Sequence, residues 1–87
     1  MNEDLCKEIK NLFPSLKRKL GKELETFKNA NRDEFYKYHS GIGLWLRSNK
    51  ICPNREFMEM FRANGIQHPD DMAERILEMF HEHLNYS

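Results

Sequence analysis

Apolar residues recur along most of this chain at the three- and four-residue spacing that lets a helix bury one face. The first stripe begins with Leu5, Ile9 and Leu12, and similar stripes follow almost to the C-terminus. Strand signals are weak, because Thr26 is the only Val or Thr and no segment alternates over five or more positions. The pattern predicts an all-α protein folded as a compact bundle of about five short helices.

Proline, glycine and asparagine residues mark the breaks between the predicted helices. Pro14 ends or kinks the first helix and lies near the start of the second. Asn31 and Asn54 are predicted helix caps, and Gly65 is a predicted left-handed terminator. Residues 50–54 are predicted to form a loop. The five helices are expected over about residues 3–12, 14–27, 31–48, 54–65 and 69–84.

Three glycines lie inside predicted helices, where each costs roughly 1 kcal/mol relative to alanine. Gly21 is expected to weaken the second helix mildly. Gly41 and Gly43 lie within one turn of the third helix. Either a close contact with another helix or a bend at this point would explain the pair. Trp45, just beyond them, is expected in the core, with an anchor at a protein interface as the alternative.

Residues 65–72 read as a well-made corner between the last two helices. Pro69 suits the first helical position, and Asp70 and Asp71 suit the positive end of the helix dipole. His68 occupies the cap position, and Arg47 is expected to pair with Asp70 or Asp71. The functional alternative pairs His68 with one of these aspartates in a catalytic or metal site, although no nucleophile motif accompanies them.

Length and charge bear on the class of partner. Eighty-seven residues make one domain, and 14 Lys and Arg balance 14 Asp and Glu. Residues 1–50 hold eleven basic against seven acidic residues (+4), and residues 51–87 hold three against seven (−4). Such a dipole favours steering and head-to-tail association over DNA binding. One cluster of basic residues is either a solvated helix face or a nucleic-acid contact. We call it the basic patch, and its members are Lys17, Arg18, Lys19 and Lys22.

The cysteines and histidines show no metal-binding or disulfide pattern. Cys6 and Cys52 lack framework spacing, and no signal peptide is apparent, so free thiols in the cytoplasm are expected. His81 and His83 are two positions apart, which places them on different helix faces, and no HExxH or CxxC occurs. We expect no metal and no cofactor. No apolar run approaches the roughly 18 residues of a membrane span, so no membrane association is expected.

Two motifs carry a family resemblance. They read Tyr38-His39-x-Gly41-x-Gly43-x-Trp45-Leu46-Arg47-Ser48-Asn49 and Gly65-Ile66-x-His68-Pro69-Asp70-Asp71-Met72, with His81-x-x-Leu84-Asn85 after them. This resembles a family of small bacterial and phage-borne helical domains of unknown function. The resemblance covers about residues 35–85, and residues 1–30 form a helical extension outside it. It implies no activity, but it marks positions to test: Tyr38, His39, Arg47, His68, Asp70, Asp71 and His81.

Three functional hypotheses follow. The first is a non-catalytic intracellular module that binds another protein, such as a phage or mobile-element factor that inhibits a host system. The second is a nucleic-acid-associated regulator that uses the basic N-terminal half. The third is a small enzyme or ligand binder built on His39, Arg47, His68 and Asp71. The sequence favours the first and leaves the oligomeric state open.

Overall fold

Five helical stretches joined by short turns make up the fold, and they cover residues 3–10, 13–29, 32–51, 55–63 and 69–86. The computed structural model describes residues 2–86, with every side chain among them except that of His39. The α-helices are α1 (Glu3–Lys10), α2 (Phe13–Leu20), α3 (Leu24–Asn29), α4 (Leu44–Leu46), α5 (Arg55–Ala63) and α6 (Pro69–Tyr86). The described residues contain no strand. The predicted all-α bundle is confirmed, and its radius of gyration of 12.2 Å matches the value of about 12 Å expected for a compact chain of this length.

Gly21 breaks the second predicted helix instead of merely weakening it. Its φ of 52° lies in the region that side chains disfavour, so α2 ends at Leu20. A 3-10 turn, Gly21–Glu23, then redirects the chain into α3. The prediction of one continuous helix to Phe27 is therefore wrong, because the backbone freedom of glycine is used for a change of direction.

The stretch from residue 32 to residue 51, here called the central segment, changes helix type along its length. A 3-10 helix (Arg32–Tyr38) leads into a π-helical turn (His39–Gly43), α4 and a second π-helical turn (Arg47–Ile51). The Asn31 N–H donates to Glu34 Oε1 at 3.1 Å, which is half of the predicted capping box. The segment ends three residues later than predicted, because Ile51 is fully buried. The predicted loop at 50–54 is correspondingly shorter.

Neither Gly41 nor Gly43 permits a close approach of another helix, so that explanation is wrong. A Cβ on Gly43 would lie 3.1 Å from the carbonyl oxygen of Tyr38, within the same wide turn. A Cβ on Gly41 would meet nothing within 4 Å. The alternative of a change in the course of the helix accounts for Gly43 alone, because the wide turn that begins at His39 brings its backbone close to the Tyr38 carbonyl.

The corner between α5 and α6 follows its predicted chemistry. Asn54 Oδ1 accepts from the Phe57 N–H at 3.1 Å and caps α5. Gly65 has a φ of 86°, and the Ile66 and Gly65 N–H groups donate to carbonyls in the last turn of α5, both at 3.0 Å. This is a Schellman terminator. The carbonyl of His68 accepts the first bond of α6, from Met72 at 3.0 Å, so His68 holds the cap position.

One apolar core joins all five stretches. Among the described residues, no polar or charged side chain is buried. Several predicted inward residues are only partly buried against the core: Tyr38, Trp45, Met58, Met79 and Leu84. Cys6 and Cys52 are free thiols, as predicted. No helix within residues 2–86 is long and apolar enough to cross a membrane. The buried side chains are Leu5, Ile9, Phe13, Leu16, Leu20, Phe27, Phe35, Ile42, Leu46, Ile51, Phe57, Phe61, Met72, Ala73, Ile76, Leu77 and Phe80.

Candidate functional site

Arg47 clamps the central segment to the first turn of α6. Its Nη1 lies 2.9 Å from Asp70 Oδ1, which confirms the predicted pairing and selects Asp70 over Asp71. The two side chains are 40% and 67% exposed, respectively. Water therefore competes for both partners, and the pair contributes about 1 kcal/mol or less. Arg47 has a structural role at the corner, while its exposed fraction remains accessible.

The remaining polar residues of the corner do not form a catalytic pair. Among the residues that the structure describes, the exposed side chains of His68 and Asp71 make no hydrogen bond or ion pair. No group of three His, Cys, Asp or Glu side chains within the described part of the chain is arranged to hold a metal ion. The His39 side chain, a member of the enzyme hypothesis, lies outside the described residues.

His81 fastens α6 to the end of α3. Its Nε2 lies 2.8 Å from the carbonyl oxygen of Ala30, and its ring meets Phe27 and Phe35 edge-on at centroid distances of 5.6 and 5.1 Å. One turn later, Asn85 Nδ2 donates to the carbonyl of Lys28 at 3.0 Å. These contacts satisfy carbonyls at the C-terminus of α3, which have no partner within that helix. His81 therefore has a structural explanation.

Trp45 is half-buried, so its ring packs on the core with one part and meets solvent with another. The Nζ atoms of Lys19 and Lys50 each lie 5.6 Å from the centroid of the indole ring, within the range of cation–π attraction. We call these three residues the Trp45 surface. Lys50 was not predicted to lie at Trp45, because residues five apart lie on different faces of an α-helix. The π-helical turn that follows Trp45 alters that spacing.

The basic patch lies in the last turn of α2 and just beyond it. Lys17, Arg18 and Lys19 face the negative end of the α2 dipole, which favours cations there. All four residues of the patch are exposed, and none forms an ion pair within residues 2–86. Lys19 alone of the four reaches an aromatic ring. The patch is thus exposed to solvent and shares Lys19 with the Trp45 surface.

Two concave surfaces each include one lysine of the Trp45 surface. One is a cavity of about 380 Å³ between α2 and the central segment, lined by Lys19, Leu20, Glu23, Lys37, Tyr38, Gly41 and Ile42. The other is a groove of about 420 Å³ between α1, α5 and the end of the central segment, and Lys50 is among its lining residues. The Trp45 surface thus shares Lys19 with the cavity and Lys50 with the groove, and Trp45 itself is not among the described lining of either.

Tyr38 lines the cavity between α2 and the central segment, which we call the Gly41 cavity. Its ring packs edge-on against Phe27 at a centroid distance of 5.0 Å. Burial raises the pKa of its hydroxyl, and the carboxylates of Glu23 and Glu34 raise that pKa further. The hydroxyl is thus a neutral group at physiological pH. Tyr38 presents a ring and a hydrogen-bonding group, not a nucleophile.

Comparison with known protein families gives one match. The model of a domain of unknown function, DUF6794, matches residues 7–84. The chain belongs to this family. The match begins in α1 and ends in α6, so DUF6794 takes in nearly the whole helical bundle, including most of the predicted N-terminal extension. Comparison with curated proteins and with solved structures found no match.

This DUF6794 domain does not gather the predicted site residues into one place. His81 lies eleven residues after Asp70 on α6, which separates the two by about 16 Å along the helix axis. Arg47 and Asp70 mark the corner, whereas Tyr38 lines the Gly41 cavity and Trp45 lies beside it. The structure therefore offers two distinct surfaces, the corner and the Trp45 surface.

Proposed function

We propose that this DUF6794 domain is a non-catalytic module that binds another protein through the Trp45 surface. The observation that carries the proposal is the partly exposed indole ring with the ammonium groups of Lys19 and Lys50 each 5.6 Å from its centroid. Tryptophan is among the residues that most often dominate the binding energy of an interface. Packing against the core restricts the ring before binding, which lowers the entropy lost on association.

The motif resemblance extends this proposal to a biological setting. It favours a cytoplasmic protein of bacterial or phage origin, and a partner that belongs to a host system which the module inhibits. A stoichiometric binder of this kind needs an exposed anchor and no catalytic group. The small size of the domain and its preformed surface are consistent with that mode of action.

Nucleic acid is the second candidate, favoured by one specific observation. An aromatic ring beside ammonium groups resembles the stacking platforms that bind single strands. The exposed cations of the basic patch, Lys17, Arg18 and Lys22, could follow a phosphate backbone. The net charge of zero opposes this candidate. A binding constant that falls steeply with salt concentration would distinguish it from protein binding.

The enzyme or ligand-binder hypothesis has the least support. Arg47 is engaged with Asp70, and the described side chains of His68 and Asp71 are exposed without mutual contact. No described side chain of the hypothesis lines the Gly41 cavity or the neighbouring groove. The proposal therefore rests on recognition of a partner and not on chemistry.

Affinity capture from a bacterial lysate, followed by titration of the purified partner, tests the proposal. Three proteins are compared: wild type, Trp45→Ala and Tyr36→Ala, since Tyr36 is 69% exposed and controls for loss of a surface ring. We expect wild type and Tyr36→Ala to bind one saturable partner, and Trp45→Ala to bind it at least tenfold more weakly. Circular dichroism checks that each variant is folded.

A second variant protects this test against partial unfolding of Trp45→Ala. Lys19→Glu combined with Lys50→Glu keeps the indole ring and reverses the charge on both sides of it. It should also weaken binding at least tenfold. Equal binding by all variants, or the absence of any saturable protein partner, would overturn the proposed function. Preferential, strongly salt-dependent binding of an oligonucleotide would establish the nucleic-acid candidate in its place.

A further inference from the structure

Gly41 is the one glycine of this chain that the fold does not explain. Gly21 and Gly65 adopt φ angles of +52° and +86°, which side chains disfavour. A Cβ on Gly43 would press on a backbone carbonyl at 3.1 Å. Gly41 has neither constraint, since its φ is not positive and a Cβ there would meet nothing within 4 Å.

A glycine at this position works against folding. Alanine stabilises a helix relative to glycine, because glycine loses more backbone freedom on folding. Alanine would fit at residue 41 without contact, so the fold alone favours the substitution. Gly41 lines the Gly41 cavity, and a Cβ there would enter open space. Without a side chain at residue 41, a bound molecule can come closer to the backbone at this part of the lining.

The chemistry of the cavity indicates what such a molecule carries. Its apolar lining comes from Leu20, Ile42 and the ring of Tyr38. Its volume of about 380 Å³ lies near the lower end of the range for ligand pockets, which suits one large side chain. An apolar side chain that reaches Gly41 would exchange water for contact with these residues and with bare backbone.

The charged residues that line the cavity indicate which charge the ligand carries. Lys37 is paired with Glu34 at 3.1 Å, and Glu23 is the single carboxylate of the described lining. Lys19 lines the cavity and, like Lys50, forms no ion pair with a carboxylate of the described residues. Two ammonium groups close to a half-exposed indole complement an acidic chain better than a basic one.

We propose that the Gly41 cavity binds one large apolar side chain from an acidic segment of the partner protein. The carboxylates of that segment lie against Lys19 and Lys50, and the segment contacts the indole ring of Trp45. Gly41 is bare so that the apolar side chain can approach the backbone. This inference rests on the proposed function, which it extends by specifying the chemistry of the partner.

Synthetic peptides test the partner chemistry by backbone NMR titration of the intact chain. The probe is a peptide of about ten Asp and Glu residues around one central Phe. We expect shifts centred on Leu20, Gly41 and Ile42, and at least tenfold weaker binding when the Phe is replaced by Ala. Binding that does not depend on the Phe, or no binding of either peptide, would overturn the inference. So would stronger shifts at the cavity with single-stranded oligothymidine of equal length.

Two substitutions at residue 41 separate binding from folding. Gly41→Ala should raise the melting temperature by about 4 °C, because a modest gain in the free energy of unfolding gives a shift of that size in a domain of this length. The same variant should weaken peptide binding at least threefold. Gly41→Leu should fill the cavity and weaken binding at least tenfold while the chain stays folded. Unchanged binding by Gly41→Leu would overturn the inference.

The outcomes distinguish the inference from the proposed function. If Trp45→Ala abolishes capture of a partner while the peptides and the Gly41 variants show no effect, the module binds a protein of other chemistry. If the peptides bind through Gly41 but no protein partner depends on Trp45, the proposed function is overturned, and only peptide binding by the Gly41 cavity is supported. Ser40→Ala serves as the control, because Ser40 is exposed and is not among the described lining of the cavity.

Discussion

Replacing Arg47 by alanine tests whether the ion pair with Asp70 holds the corner between the central segment and α6. The two charged groups meet at 2.9 Å, but 40% of the Arg47 side chain and 67% of the Asp70 side chain are exposed. A pair with this exposure contributes about 0.2–1 kcal/mol, because water solvates both ions when they separate. A buried pair would instead cost about 3–5 kcal/mol to break.

The expected change in melting temperature follows from that magnitude. In a domain of 60–100 residues, 1 kcal/mol corresponds to about 4–8 °C. Arg47→Ala should therefore lower the melting temperature by no more than about 8 °C, with about 2–4 °C for a pair in the middle of the range. Asp70 keeps its favourable interaction with the α6 dipole in this variant, so the loss reports the pair.

A double-mutant cycle measures the interaction directly. Arg47→Ala, Asp70→Ala and the double variant are unfolded thermally and in urea. Asp71→Ala is the control, since this neighbouring acid forms no ion pair with any residue that the structure describes. The coupling energy should lie below about 1 kcal/mol. It should shrink in 1 M salt, where the screening length falls to about 3 Å.

Two results would refute this reasoning. A coupling energy of about 3 kcal/mol or more would mean that the pair is shielded from water, contrary to the exposure seen here. A coupling energy of zero with an unchanged melting temperature would mean that the pair does not persist in solution. Arg47 would then be available to a binding partner, and the corner would become a second candidate surface.

Three further predictions concern single residues. His81→Ala should lose about 2 kcal/mol, from a backbone hydrogen bond of about 1 kcal/mol and ring contacts of about 0.5–1.5 kcal/mol. The exposed His68→Ala should lose no more than about 0.5 kcal/mol in the same urea titration, and equal losses would contradict the structure. A backbone N–H at the start of the central segment and then Lys37 lower the pKa of Glu34 from its ordinary value of 4.5. Glu34 therefore stabilises the fold above its unfolded pKa, and Glu34→Gln should lower the melting temperature at pH 7 but not after the pH has fallen through the folded pKa. An effect that persists in acid would show another cause. Asn54→Ala should cost about 1 kcal/mol by calorimetry, because the first turn of α5 loses its cap, and no change would show that water replaces the cap.

Helix boundaries were predictable where they depend on a few neighbouring residues. Asn54, Gly65 and Pro69 each act on backbone groups within four residues, and each has the predicted role in the structure. The prediction failed at Gly21 and at Ile51. Gly21 turns the chain, although glycine also occurs inside helices, and Ile51 extends its segment because the core buries it. Neither decision depends on local sequence alone.

The candidate site was predictable in part for the same reason. Arg47 was predicted to pair with Asp70 or Asp71, and the structure shows the pair with Asp70. His81 belonged to the resemblance, yet the structure places it in the packing of α3 against α6. Lys50 was missed, because the π-helical turn that brings it to Trp45 leaves no periodic signal in an α-helical pattern.

The amino-acid order alone established the helical class, the caps and the corner. Each follows from the spacing of apolar residues or from hydrogen bonds between residues a few positions apart in the sequence. The Trp45 surface and the Gly41 cavity required the folded chain. Lys19 and Trp45 are far apart in sequence, and they meet because α2 packs on the central segment. Gly41 was unusual in the sequence for its cost in a helix, but only the three-dimensional packing showed that the space above it is open.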